Sequence, residues 1–418
     1  MLNPCFQSKA YQKALQKLLE RTSNPKLGLE RIESLLDAVA YQRNNFKSVQ
    51  IVGTNGKGST SAFLASLLLA HGHSVAVFTS PHLSTARERI QINGKMISEE
   101  DFIEACDFVL TKADPKGKAS FFECILAMFI YVAQKAKVQV IIAEAGLGGR
   151  LDATTALKTN ALGVSTIGLD HQNILGDSIE AITSEKIAAA HSGQQVVCVE
   201  QRPEAWKIIK DQERQRGFNL ILSEKIEMPL GLQGRYQKQN AGLALSLMQA
   251  LALKTEDKKV SKALLEVQWP GRYEKIVHGG VSIIFDGAHN PLGISELVAT
   301  LKNDKLISVK PLILVFGSLK SANTKEKINL LTAAHTYLNV VVHLSKNPRR
   351  EEFDRLEEFF IAAQLAPQKI KEFSSWATLI EQAKKNQANI LVCGSLYTVG
   401  ELRGELLKLP CDHLIPKF

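Results

Sequence analysis

The chain has 418 residues, 45% hydrophobic and 22% charged, with a formal net charge of +9 and a pI near 9.1. That length exceeds what one core organises, so two domains are expected, and the balance is that of an ordinary α/β protein. The basic residues are dispersed rather than clustered with aromatics, which argues for an anionic small ligand and against a nucleic-acid partner.

The six cysteines, at 5, 106, 124, 198, 393 and 411, form no Cys-x-x-Cys pair and no zinc spacing, and read as reduced thiols. No apolar run approaches a membrane span, and the first residues (Pro4, Gln7, Lys9, Tyr11, Lys13) lack a signal-peptide core. A cytoplasmic protein with no membrane partner is expected.

Residues 5–43 show helical periodicity broken at Asn24-Pro25, and Leu27-Gly28-Leu29-Glu30 restarts a helix after the breaker. Next, the strand-favouring run Val49 to Val52 enters Gly53-Thr54-Asn55-Gly56-Lys57-Gly58-Ser59-Thr60, after which Ala62, Phe63, Leu64, Leu67 and Leu68 recur at helical spacing. This predicts strand, glycine loop, helix. Glycines 53, 56 and 58 let the backbone bring its N–H groups to a phosphate, Lys57 supplies charge, and the Ser59 or Thr60 hydroxyl supplies a Mg2+ ligand. Gly58 breaks the strict Gly-x4-Gly-Lys-Ser/Thr pattern, so context carries the reading: a nucleoside triphosphate site.

A second strand, Ser74 to Phe78, ends in Thr79-Ser80-Pro81-His82-Leu83, a polar loop where open α/β sheets place ligands. Ser120 and Glu123 match a capping box ahead of an apolar helix to Ala133, with Phe121 and Phe122 at its mouth, read either as core or as a platform for a flat heterocycle. The apolar run Val138 to Ala143 predicts a central parallel strand that delivers Glu144, a hard-oxygen Mg2+ ligand, at its carboxyl end. Gly146-Leu147-Gly148-Gly149-Arg150-Leu151-Asp152-Ala153-Thr154 follows. A strand from Ala161 to Ile167 leads to Asp170-His171, and Glu185-Lys186 sits on a helix begun near Asp177 and Ser178.

Strands are expected near 196–199 and 219–222, then Gly234 to Ala241, with Asn240 among them, leads a helix to Leu253. Trp269-Pro270-Gly271-Arg272-Tyr273 suggests a domain junction, with Arg272 placed to reach a phosphate. Four further strands are predicted, beginning at Val281, Pro311, Asn339 and Asn389, and none is followed by Gly-x-Gly-x-x-Gly, so no dinucleotide cofactor is supported. Asp286-Gly287-Ala288-His289-Asn290-Pro291 closes the first of them.

The glycine loop, Ser-Pro-His-Leu, Ser-Phe-Phe-Glu, Gly-Leu-Gly-Gly-Arg-Leu-Asp-Ala-Thr, Asp-Gly-Ala-His-Asn-Pro and Cys393-Gly394-Ser395 together resemble the dihydrofolate synthase/folylpolyglutamate synthase family of the Mur ligase superfamily. The likeness covers nearly the whole chain. It implies an α/β fold: a P-loop-type, mostly parallel sheet domain over residues 1–272, a linker at 273–280, and a smaller Rossmann-like α/β domain over 281–418, with the active site in the inter-domain cleft.

By resemblance, ATP lies against Thr54, Asn55, Gly56, Lys57, Gly58, Ser59, Asn240, Arg272, Asp286 and His289. Ser80, Glu144, His171 and a carbamylated Lys186 hold two Mg2+ ions, with Lys57, Lys186 and His171 as the catalytic set. Dihydropteroate or a reduced folate meets Leu27, Gly28, Ser120, Phe121, Phe122, Glu123, Leu151, Asp152 and Ala153, and L-glutamate is the amine. A monomer is expected. The chain departs from the family at Ile187-Ala188-Ala189, at Leu292 and within Leu319 to Asn323. Two rivals remain at this stage: a ligase for a UDP-sugar peptide, disfavoured by Ser-Pro-His-Leu and Ser-Phe-Phe-Glu, and a nucleotide-binding regulator without turnover.

Overall fold

In the computed structural model, residues 7–21, 28–334 and 337–412 are described. They form two compact units, one of residues 7–231, 236–268 and 412, the other of 232–235 and 269–411. Among the described residues no helix is long and apolar enough to cross a membrane.

The first unit is built on eight strands: β1 Lys47–Val52, β2 Val75–Phe78, β3 Ile90–Ile92, β4 Lys95–Met96, β5 Val140–Glu144, β6 Ala161–Val164, β7 Gln195–Cys198 and β8 Asn219–Leu222. Their order is β4-β3-β2-β5-β1-β6-β7-β8, parallel except at β3 and β4. β2 and β5 are buried at every position, which is why they read as apolar runs, and β1 is buried at all but Lys47, with polar Ser48 and Gln50 enclosed. Asn93 and Gly94, both at positive φ, make the two-residue hairpin turn between β3 and β4.

Chain order reverses around β1: the connection from β1 goes to β2, and β5 returns to lie between them. Register pairs Ile51 of β1 with Glu144 of β5 and with Gly163 of β6. The carboxyl ends of these strands therefore line up at the point where open sheets bind ligands. Behind them the helix Lys57–Ala70 packs against the helix Gln237–Ala250. A Cβ at Gly163 would stand 2.8 Å from Leu247, so the missing side chain lets that helix layer sit close to the sheet.

The second unit has six strands: β9 Glu274–His278, β10 Val281–Phe285, β11 Leu312–Phe316, β12 Tyr337–Val342, β13 Ile370–Glu372 and β14 Asn389–Cys393, in the order β13-β12-β11-β14-β10-β9. β10 to β14 are parallel. The stretch 273–280, expected as a linker, is instead part of this sheet: β9 pairs antiparallel with β10, from Val281↔His278 to Phe285↔Glu274. Gly279 and Gly280, at φ 57 and 83, turn the chain between them, and Arg403 holds β9 through two hydrogen bonds from Nε and Nη2 to Glu274 at 2.7 and 2.9 Å. Polar, exposed β9 carries little hydrophobic signal, which is why its sequence reads as a connection.

Candidate active site

The phosphate loop forms between β1 and the helix Lys57–Ala70. Gly53 has φ 144, and a Cβ there would lie 2.0 Å from the Ser165 hydroxyl; Gly56 has φ 95, and its Cβ would lie 2.3 Å from Asn240 Oδ1. Both positions therefore exclude a side chain twice over, by backbone and by neighbour. The loop is anchored from β6: Thr54 and Asn55 N–H groups donate to Thr166 O (2.9 and 3.2 Å), and the Thr54 hydroxyl donates to Gly168 O (3.0 Å).

Gly56 is the N-cap residue and Lys57 the first residue of the helix, so Gly58 and Ser59 lie in its buried first turn. Ser59 Oγ accepts from Gln237, whose Oε1 in turn accepts from Asn240 at 2.9 Å. Asn240 is thus held against the loop. The Thr60 hydroxyl is buried without a protein partner.

Two ammonium groups converge on one carbonyl. Gly53 O accepts from Lys57 Nζ at 3.1 Å and from Lys186 Nζ at 2.9 Å, and Lys57 also donates to Thr54 O at 3.3 Å. Lys186 is only 5% exposed. Burial, and then the charge of Lys57, lower it to about 7, against the attraction of Asp170 and Asp152. Two cations on one buried oxygen form a site that an anion would relieve.

Lys186 reaches there because its helix, Ile179–Ile187, is stitched to the glycine loop 146–154. Ser178 caps the helix, Arg150 N–H donates to Glu185 O at 2.8 Å, and Arg150 pairs with the Glu185 carboxylate at 3.0 Å. A Cβ at Gly149 would meet Lys186 O at 2.4 Å, so glycine permits the contact. Ile187 is fully buried and is the last residue of the helix.

Asp152 holds this loop together. It accepts from the N–H groups of Gly146 (2.8 Å), Leu147 (2.9 Å) and Thr154 (3.0 Å) and from the Thr154 hydroxyl. Burial pushes its carboxyl up while those donors pull it down. With its oxygens so engaged, Asp152 shapes the substrate-side loop from within. Ala153 is buried beside it and Leu151 is half-exposed.

Glu144 is buried at the end of β5, where it accepts the Ser80 N–H at 3.2 Å, so the first two proposed metal residues are brought together. His171 is exposed, at φ 50, with Nε2 4.0 Å from Asp170. Among the described residues no three His, Cys, Asp or Glu side chains gather as a metal cluster. The donor set present is hydroxyl and carboxylate, the hard-oxygen chemistry of Mg2+, which commonly takes one or two carboxylates together with substrate phosphates. The residues fit that ion.

The capping box at the helix Phe121–Lys135 forms as expected: Glu123 accepts from Ser120 N–H and Oγ, both at 2.7 Å. Arg31, which the sequence reading passed over, completes it with an ion pair to Glu123 at 3.1 Å. Phe121 is 1% exposed, under the Arg89 guanidinium, because it starts the buried face of its helix. Phe122 is half-exposed, edge-on to Phe78, and a Cβ on Gly146 would lie 2.7 Å from it. Gly28 has φ 151, with Glu30 folded over it. Leu27 lies outside the described residues.

In the second unit, Asp286 is buried at the end of β10. Its carboxylate accepts the N–H groups of Tyr273 (2.8 Å) and Ala288 (2.9 Å), and burial raises it against the pull of Arg272. Asp286 therefore builds the turn that presents half-exposed His289, whose Nδ1 lies 2.9 Å from Gly287 O. Asn290 caps the helix Pro291–Asn303. Where the family pattern fails after β11, buried Lys327 donates to the Ser318 hydroxyl at 2.7 Å.

A glycine loop at a strand-order reversal, followed by a second parallel α/β unit, is the architecture of a two-unit nucleotide-binding protein. A family model described as Mur ligase, glutamate ligase domain, matches residues 271–396. The dihydrofolate synthase/folylpolyglutamate synthase of Bacillus subtilis (strain 168) is 30% identical over 427 residues, spanning 91% of this chain and 95% of that protein. Two solved structures share the fold at 26% identity. E. coli FolC in complex with DHPP and ADP has a TM-score of 0.81 and covers 95% of this chain and 98% of its own. The bifunctional folylpolyglutamate synthase/dihydrofolate synthase of Yersinia pestis complexed with AMPPNP and Mn ion has a TM-score of 0.83 and covers 96% and 100%. The chain belongs to the dihydrofolate synthase/folylpolyglutamate synthase family.

Two outcomes are expected from this geometry. Gly56→Ala should lose about 1–3 kcal/mol of stability and its nucleotide binding, since the methyl is strained at positive φ and strikes Asn240. Asn240→Ala should restore part of the stability in the double variant; strict additivity in denaturant melts would show that the two do not touch.

The second outcome concerns pH. The folded-state value of Lys186 lies below its ordinary 10.5, so between about 7 and 10.5 the unfolded chain binds the extra proton and stability rises with pH. In protein free of metal and CO2, stability should climb by up to about 1.4 kcal/mol per pH unit over that window. Lys186→Met should flatten the climb, and equal slopes for the two proteins would reject the buried amine as its source.

Proposed function

We propose that the chain is an ATP-dependent ligase of folate metabolism that joins L-glutamate to dihydropteroate and to the glutamate tail of reduced folates. Membership of the family supports the activity, and the observation that carries the site is the convergence of Lys57 and Lys186 on Gly53 O. A phosphate answers the first charge. A carbamate on Lys186 answers the second, turning a buried cation into an anion.

In this reading the ATP γ-phosphate passes to the substrate carboxylate, giving an acyl phosphate that the glutamate amine attacks, with release of phosphate. Positioning and charge neutralisation dominate such a transfer. Backbone N–H groups at the start of the Lys57–Ala70 helix receive the phosphates. Lys57 neutralises the transferred group, and Asn240 orients the nucleotide. Phe122 and Leu151 face the heterocycle of the folate, while Ser120, Glu123 and Asp152 keep their loops in shape. When bound, Mg2+ supplies further neutralisation; Ser80 and Glu144 would hold one ion, and His171 with carbamylated Lys186 a second.

The test is phosphate release by purified protein with ATP, Mg2+ and either dihydropteroate or tetrahydrofolate. Release should require glutamate, and glutamate-independent ATP hydrolysis or none at all would favour a regulator. Lys186→Ala should lose most of this activity and regain part of it with added short-chain carboxylic acid. Full activity in that variant without additive would remove the carbamate from the reading.

A further inference from the structure

The Ser-Pro-His-Leu loop is held from a place the activity does not call on. Within residues 79–90, Glu88 accepts the N–H groups of Leu83 (2.7 Å), Ser84 (3.0 Å) and Thr85 (3.1 Å), and Thr85 and Glu88 form a reciprocal cap on the turn Ala86–Arg89. One backbone donor of that turn goes elsewhere: Ala86 N–H donates to Asp412 Oδ2 at 2.7 Å, across 326 residues of chain. Asp412 N–H donates back to Ser84 O at 2.8 Å.

The other carboxylate oxygen, Asp412 Oδ1, accepts from Gln7 Nε2 at 2.7 Å and from the Tyr11 hydroxyl at 3.0 Å. Gln7 and Tyr11 also reach the Thr85 hydroxyl, at 3.2 and 2.9 Å. Segments from both ends of the described chain thus close on residues 84–86. Tyr11 is fully buried against Phe102, which fixes its end of the clasp. At the loop's other end, Ser80 N–H donates to Glu144.

We propose that Asp412 is a positioning residue of the ligase: it sets the height of the 79–90 loop and so the placement of Ser80 against Glu144. This rests on the reading of Ser80 and Glu144 as the residues that hold Mg2+. The carboxylate is needed because it faces N–H or O–H donors on both oxygens. An asparagine in either orientation turns an NH2 toward the Ala86 N–H or toward the Gln7 amide, so one contact is lost and one donor opposes another.

The experiment compares Asp412→Asn with Ser80→Ala. In Asp412→Asn, exchange of the Ala86 amide should quicken about tenfold, the worth of one charge-assisted hydrogen bond. The Mg2+ concentration for half-maximal phosphate release should rise by about tenfold, as when a residue supporting a metal ligand is lost. ADP binding without metal should be unchanged, since the phosphate loop is anchored from other strands. Tyr11→Phe removes one donor to Asp412 and keeps the ring contact with Phe102; it should shift the Mg2+ titration in the same direction by less, and it serves if Asp412→Asn does not fold. An Asp412→Asn or Tyr11→Phe enzyme that melts lower but keeps the parent Mg2+ titration, beside a Ser80→Ala enzyme that shifts it, would overturn this inference alone. A Ser80→Ala enzyme with the parent titration would overturn the metal reading beneath it.

Discussion

The carbonyl oxygen of Gly53 is the point on which the first unit's chemistry depends. It ends β1, it belongs to a residue that tolerates no side chain, and it receives two lysine side chains brought from different parts of the chain. Lys57 is local, four residues on. Lys186 arrives only because the loop 146–154 and the helix Ile179–Ile187 are joined by the Arg150 and Glu185 contacts. A protein selected for stability alone would not bury an amine beside another cation, because desolvation and repulsion both act against it. That cost is what the proposed phosphate and carbamate would offset.

Carboxylates in this chain divide by what they accept. Asp152 and Asp286 are each surrounded by backbone N–H groups of their own loops and shape those loops from inside. Glu144, at the end of a central strand, accepts the Ser80 N–H, and register places it beside the phosphate loop. Short acidic side chains near glycines favour such turns, since they can reach several amides at once. A strand-borne glutamate has the reach to face the ligand side instead. Identical charge in sequence therefore serves opposite purposes, and hydrogen-bond partners distinguish them.

Much of the architecture was legible in the amino-acid sequence. Apolar runs announced β2, β5, β11 and β14, because strands buried on both faces need no polar side. The glycine loop, the capping box at Ser120 and the cap at Ser178 were readable because backbone geometry there depends on residues a few places apart. The hairpins at Asn93-Gly94 and Gly279-Gly280 had the same local signal. They were missed because the flanking strands β4 and β9 are mostly exposed and lack the apolar run that drew attention elsewhere.

What only the tertiary structure decided is which distant groups meet. Sequence determined that Lys57 follows a phosphate loop; packing decided that Lys186 shares its carbonyl partner. Sequence placed two phenylalanines side by side at a helix start; helical geometry, which turns neighbours about 100° apart, sent Phe121 into the core and left Phe122 at the edge. Arg31 on Glu123, and Asp412 on Ala86, had no signal in the order of residues. Their partners lie 92 and 326 positions away, and a contact made across such separations is specified by the fold and not by any local pattern.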